Sequence, residues 1–244
     1  MENLKQYSDL YANLSQSAYT NRPQNFAEYS SWNKEQREAE HYRSAIPFDF
    51  SKRPGGDNLG DSGKVYLQRD NSGLLTNESA GYNSYFVTDK PTVKDSKETY
   101  FVTRGSDGMS LENVNDWVLN NANFTVFDSY IPQAKLATKA MHDKLKEIPE
   151  GAKFNVTGHS LGTMVSIQSV ATNLPAGDID KIGRVVLFQG PDARESINKM
   201  SKQARENIEK LEAQGKIDYY VSPFDIVSMK KKKKKGVDEI GNVH

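Results

Sequence analysis

Lys153-Phe154-Asn155-Val156-Thr157-Gly158-His159-Ser160-Leu161-Gly162-Thr163-Met164-Val165-Ser166-Ile167-Gln168-Ser169-Val170 is the stretch whose reading decides the fold. Lys153 to Val156 read as a strand. Leu161, Met164, Val165, Ile167 and Val170 supply a mostly apolar helix able to lie buried against a sheet. Between them, Gly158-His159-Ser160-Leu161-Gly162 is a glycine-bounded G-x-S-x-G turn. A strand passing through such a turn into an apolar helix is the repeating step of a parallel sheet with helices across its face.

The turn also has chemistry in it. A serine hydroxyl is a weak nucleophile at neutral pH, so it must be exposed to a base and held where its oxyanion product can be stabilised. A sharp strand-to-helix turn forces its central residue into a strained conformation. The flanking glycines, Gly158 and Gly162, give room for close approach, and the amide after the serine, that of Leu161, points into the oxyanion site. Ser160 is therefore the candidate nucleophile. The His159 side chain should leave the turn on another side, for packing or polar support.

Working outward, Gln133 to Leu145 reads as a helix with Leu136, Ala140 and Leu145 inward. Arg184 to Phe188 is a continuous apolar run of the kind found in a strand buried on both faces, ending at Gln189-Gly190-Pro191-Asp192. Ile197, Met200, Ala204, Ile208 and Leu211 mark one long amphipathic helix, and Ile217 to Val221 the next strand. Upstream, Lys64–Leu67, Ser84–Val87 and Thr99–Val102 are short strand-like segments joined by polar turns, an antiparallel meander at one edge. Leu4, Tyr7, Leu10, Tyr11, Leu14 and Ala18 recur at helical spacing, so residues 3–19 form an amphipathic helix docked on the main body. From Gln24 to Gly63 the chain is polar, with Pro47, Pro54-Gly55-Gly56 and Gly60 arguing against long regular elements. The fold class is α/β: a mostly parallel central sheet with an antiparallel edge and flanking helices, one domain over 1–244 with 1–63 as a helical and irregular extension packed on it.

The third upstream strand runs into Thr103-Arg104-Gly105-Ser106, and a polar loop then leads to Asn115-Asp116-Trp117. Together with the later G-H-S-L-G, this order resembles the class 3 lipase family of α/β-hydrolases, over roughly Thr99 to His244. The resemblance implies the α/β-hydrolase fold, with Ser106 as the second oxyanion-hole donor. It also implies a mobile lid over about 107–116, with Met109, Leu111, Val114 and Trp117 as its apolar underside.

In α/β-hydrolases the acid and then the histidine follow the serine on loops at the carboxyl ends of later strands. Of the four histidines, His41 lies in a charged stretch and His142 on a packing helix. Only His244 lies beyond the turn. Asp225, in Ser222-Pro223-Phe224-Asp225-Ile226-Val227, resembles the family's D-x-V segment, and Gly241-Asn242-Val243-His244 its G-x-V-H segment. Asp225 is then the acid and His244 the general base, with Asp192 the competing acid. The family continues past this histidine, so the chain is expected to be part of a longer polypeptide.

Composition narrows the function. With 244 residues, 36% apolar and 10% aromatic, the chain can build an ordinary core. Lys plus Arg equals Asp plus Glu at 32 each, so no basic excess points to nucleic acid. Lys230 to Lys235 are six consecutive lysines, outside any pattern of the family. The absence of cysteine excludes a thiol nucleophile and a cysteine zinc site. No apolar run is long enough to span a membrane, and the start, Met1-Glu2-Asn3-Leu4-Lys5-Gln6, lacks the basic and then apolar parts of a signal peptide. The protein is expected to be cytoplasmic or secreted without such a signal. In this it is similar to leaderless lipase effectors of type VII systems, which implies a phospholipid target, a toxic action, and an immunity or chaperone protein as partner. The expected activity is serine ester hydrolysis of lipid acyl esters at a membrane or aggregate surface, with neither metal nor organic cofactor. The alternatives are a catalytically inactive hydrolase-fold binding module and an esterase acting on small soluble esters.

Overall fold

The computed structural model describes residues 11, 14–15, 46–49, 64–68, 72–77, 82–103, 132–173, 178–190, 193–221 and 240–244. The strands are β1 (Ile46–Asp49), β2 (Lys64–Leu67), β3 (Thr76–Asn77), β4 (Tyr82–Thr88), β5 (Glu98–Thr103), β6 (Lys153–His159), β7 (Ile182–Phe188), β8 (Ile217–Tyr220) and β9 (Asn242–Val243). The helices are α1 (Pro132–Glu147), α2 (Leu161–Asn173), α3 (Arg194–Asn198) and α4 (Lys202–Ala213).

Among the described residues the strands make one mixed sheet ordered β1-β2-β4-β5-β6-β7-β8-β9, with β3 paired to β4 off that path. From β5 to β9 every neighbour is parallel. The edge from β1 to β5 is antiparallel. This is the α/β rhythm expected: β5, β6, β7 and β8 are separated in sequence by α1, by α2, and by α3 with α4.

Both faces of the inner strands are covered, which is why β4 and β6 are buried almost throughout. On one face Phe86, Phe101, Phe154, Val156, Val185, Leu187 and Ile217 pack in one cluster with Ala137 and Met141 of α1, Met164 and Val165 of α2, and Ile208 and Leu211 of α4. The other face meets the N-terminal segment. Leu14 is buried, and its carbonyl accepts from Tyr85 Oη at 2.6 Å. Ser15 Oγ shares a hydrogen bond with Thr157 Oγ1 at 2.9 Å, and the Tyr11 ring stands edge-on to Tyr100 at 5.9 Å. Residues 11, 14 and 15 are helical and dock on the sheet as the spacing predicts. Leu4, Tyr7, Leu10 and Ala18 lie outside the described residues.

Three local features differ from the sequence reading or add to it. The single long helix over 197–211 is instead two, α3 and α4, because Ser201 caps the second: its Oγ accepts from Ala204 N at 3.2 Å. Ile197, Met200, Ala204, Ile208 and Leu211 are all buried even so, since the apolar stripe runs across the break, with Met200 in it. In the stretch read as irregular, Ile46–Asp49 pairs with β2, and an edge strand accommodates Pro47 without losing an inner ladder bond. At the β6/β7 register shift Asn155 stands in for the ladder, donating to Glu98 Oε2 at 2.7 Å and accepting from Arg184 N at 3.0 Å. Among the described residues no helix is long and apolar enough to cross a membrane.

Candidate active site

β6 ends at His159 and α2 begins at Leu161, leaving Ser160 alone between them with φ of 56°. A left-handed backbone costs a non-glycine residue about 1–2 kcal/mol, so the surroundings must hold it there. They do so from both sides. Ser160 N donates to Phe188 O at 3.0 Å, tying the turn to the end of β7. The Ser160 carbonyl accepts from Thr163 N at 3.0 Å and from Thr163 Oγ1 at 2.8 Å. With both peptide groups engaged, strain at this residue is over-determined, the condition under which such conformations persist.

Gly158 is required by contact. A Cβ on Gly158 would lie 2.6 Å from the Gly162 carbonyl carbon and 2.7 Å from Ser166 Oγ. That close crossing of β6 over the first turn of α2 is fastened by Thr103, the last residue of β5. Thr103 Oγ1 donates to Gly162 O at 2.9 Å and shares a bond with Ser166 Oγ at 2.8 Å. Gly190, just past β7, is a further requirement that the sequence reading did not single out: a Cβ there would fall within the Thr163 side chain. Its carbonyl accepts from Tyr219 Oη.

Ser160 is buried, and its Oγ has no hydrogen bond to a described residue. Leu161 opens α2, so its N–H belongs to the first turn, where amides have no carbonyl partner within the helix and the helix dipole favours negative charge. Ser106, Asp225, Asp192 and Met109, Leu111, Val114 and Trp117 lie outside the described residues.

His159 is turned aside and buried. Its Nε2 is 3.0 Å from Gln189 Oε1, and burial lowers its pKa despite that bond, so the imidazole is neutral at pH 7. Gln189 is the only other described non-glycine residue with positive φ, 48°. The two strained residues therefore end adjacent parallel strands, linked through His159.

His244 follows β9, and its backbone continues the pairing: His244 N donates to Tyr219 O at 2.9 Å and Val221 N to His244 O at 3.2 Å. The imidazole is not hydrogen-bonded to Ser160. Its Nε2 lies 3.0 Å from Asp218 Oδ1, and its ring stacks on Tyr220 at 4.8 Å between centroids. The other carboxylate oxygen of Asp218 is held by Arg184 Nη2. Burial pushes the Asp218 pKa up, but the bonds to Arg184 and His244 outweigh it and leave the group below the ordinary carboxylate range. Asp218 is a site residue that sequence reasoning missed. Its signal was a charged residue inside the apolar strand Ile217-Asp218-Tyr219-Tyr220, beside another, Arg184, at the start of β7.

Among the described residues no three His, Asp or Glu side chains gather as a metal site needs. No family model matches the chain, and no curated protein matches it in sequence.

Proposed function

We propose that this chain has the α/β-hydrolase fold and is a serine carboxylic-ester hydrolase with Ser160 as nucleophile. The observation that carries the reading is Ser160 itself: a left-handed non-glycine residue pinned by both peptide groups between a buried parallel strand and the N-terminus of a buried helix. Strain held this firmly is a feature of functional turns, and a serine there is the arrangement of the nucleophile elbow. The sheet order supports the same reading. β7, β8 and β9 follow β6 side by side and in parallel, so the carboxyl ends of these strands share one edge of the sheet, as the chain order serine, acid, histidine of such hydrolases requires.

In this scheme Ser160 Oγ attacks the ester carbonyl while His244 takes its proton. The amide of Leu161 and a donor at Ser106 receive the oxyanion, and Asp225 stabilises the imidazolium. Collapse breaks the acyl–oxygen bond, and the alcohol leaves with the proton from His244. Water, deprotonated by His244, then attacks the acyl-serine, and loss of the serine alkoxide, reprotonated by His244, releases the carboxylic acid. The resemblance to class 3 lipases directs the substrate toward lipid acyl esters, phospholipid first. It also directs the setting toward a membrane or aggregate surface, and the similarity to type VII lipase effectors adds an immunity or chaperone protein as partner.

One observation favours a second reading, a hydrolase-fold module that binds an acyl ligand without turning it over: His244 is hydrogen-bonded to Asp218 instead of Ser160. Turnover of phospholipid, triacylglycerol and a short-chain ester by the protein and by Ser160→Ala separates the readings. Hydrolysis of a long-chain lipid ester that Ser160→Ala abolishes is the expected result. No Ser160-dependent turnover, with lipid still bound, would leave the binding module, and preference for the short ester would make it a small-molecule esterase.

A further inference from the structure

We propose that Asp218 is a positioning residue that holds His244 in a resting place, so that the base reaches Ser160 only when this contact opens. This rests on the reading of Ser160 as nucleophile and His244 as base. In a Ser-His-Asp triad the imidazole presents Nε2 to the serine and Nδ1–H to the acid. Here Nε2 is the nitrogen on Asp218, at 3.0 Å, so the atom that catalysis needs is occupied by a carboxylate.

The resting place is built from several elements. Tyr220 of β8 stacks both on His244, at 4.8 Å and 22°, and on Phe188 of β7, at 5.2 Å and 17°. The tyrosine ring thus stands between the imidazole and the strand next to the elbow. Asp218 cannot follow the imidazole toward the rim, because Arg184 of β7 holds its other oxygen. The Arg184 guanidinium in turn lies 5.5 Å from the centre of the Tyr11 ring in the N-terminal segment.

Distance agrees with this arrangement. Ser160 follows β6 and His244 follows β9, with β7 and β8 between them. Three strand spacings come to about 14 Å, more than a side-chain rotation spans, so the backbone around His244 must move to close the triad. The structure puts that residue on the element best able to do so. β9 has two residues, both exposed, and is paired on its β8 side through Asp218–Asn242 and Tyr219–Val243. Short edge elements with few buried contacts open at low cost. Gly241, at φ of 77° and hydrogen-bonded through its N–H to Glu212 Oε1 at 2.8 Å, is the fixed point before it.

The test measures the rate of Ser160 acylation by a fluorophosphonate probe in the wild type, Asp218→Asn and Tyr220→Leu, with Ser160→Ala as the blank. Nuclear Overhauser contacts between the His244 and Tyr220 rings are recorded on the wild type and Asp218→Asn. Asp218→Asn keeps the shape and removes the charge, and Tyr220→Leu removes the stacked ring and leaves the charges. In the expected result Asp218→Asn labels about tenfold faster than the wild type, a shift of roughly 1.4 kcal/mol in the resting equilibrium. Tyr220→Leu also accelerates, and the ring contact seen in the wild type weakens in Asp218→Asn. Slower labelling of folded Asp218→Asn overturns the proposal, since Asp218 would then support the base. If Asp218→Asn does not fold, Tyr220→Leu decides, and an unchanged rate there overturns it. Wild-type labelling at Ser160 with no acceleration in folded variants defeats this proposal alone. No label at Ser160 in any folded variant defeats the nucleophile reading and this proposal with it, whatever the ring contact shows.

Discussion

Glycine at position 160 should make the protein more stable than alanine at the same position, the reverse of the usual order. Within regular structure, alanine is preferred to glycine by about 0.5–1 kcal/mol, because glycine loses more backbone freedom on folding. Ser160 has φ of 56°, where a Cβ costs about 1–2 kcal/mol and glycine pays nothing. Comparing Ser160→Gly with Ser160→Ala removes the hydroxyl from both sides, so the two backbone effects remain. Their difference leaves glycine ahead by about 0–1.5 kcal/mol, a rise of up to roughly 6 °C in Tm for a domain of this size. Urea denaturation of both variants measures it. Lys139, exposed in the middle of α1, is the control, where Lys139→Ala should exceed Lys139→Gly by about 1 kcal/mol. If alanine is also the more stable at 160, the left-handed conformation is wrong and the argument for a strained nucleophile goes with it.

Gly158→Ala should destabilise by at least about 3 kcal/mol, the upper end for overpacking, because the new Cβ meets the Gly162 backbone, which cannot move aside. A loss under about 1 kcal/mol in chemical denaturation would refute the close crossing. Stability should also fall in acid through His159. Its folded pKa lies below the ordinary value of 6.5, so the unfolded chain binds the proton more readily. The contribution is present above pH 6.5 and is lost as pH falls through the lowered folded value. Asp218 acts in the same direction at lower pH, beneath 3.8. Unfolding free energies at pH 7 and pH 5 should differ less in His159→Gln than in the wild type, and an equal difference would remove His159 as the cause. Asp225→Ala should lower turnover by several orders of magnitude and Asp192→Ala little; the opposite ranking in ester hydrolysis moves the acid to the loop after β7.

The fold was legible where side-chain period and burial agree. Val185 to Phe188 is apolar without alternation because both faces of β7 are covered there, and Leu161 to Val170 is mostly apolar and buried throughout because α2 lies between the sheet, α1 and α4. The break at Ser201 was hidden because the apolar stripe from Ile197 to Leu211 runs across it, and a cap depends on one hydroxyl that the pattern does not register. β9 is too short for any period to show. At the candidate site, Gly158, Ser160 and Gly162 were legible because a local turn dictates them. The pairing of His244 with Asp218 and Arg184 was not, since β7, β8 and β9 meet only through sheet order. Gly190 escaped for the same reason: the side chain it must avoid, Thr163, is on another element.

The central claim, that Ser160 is an activated nucleophile, is tested most directly by locating the covalent adduct of a fluorophosphonate on the protein by mass spectrometry. An elbow serine with a base in reach is acylated where an ordinary serine is not. The account predicts one stoichiometric adduct on the peptide containing Ser160, absent in Ser160→Ala and in protein unfolded before exposure to the probe. An adduct of equal yield in Ser160→Ala, or one mapped to a different serine, would contradict it.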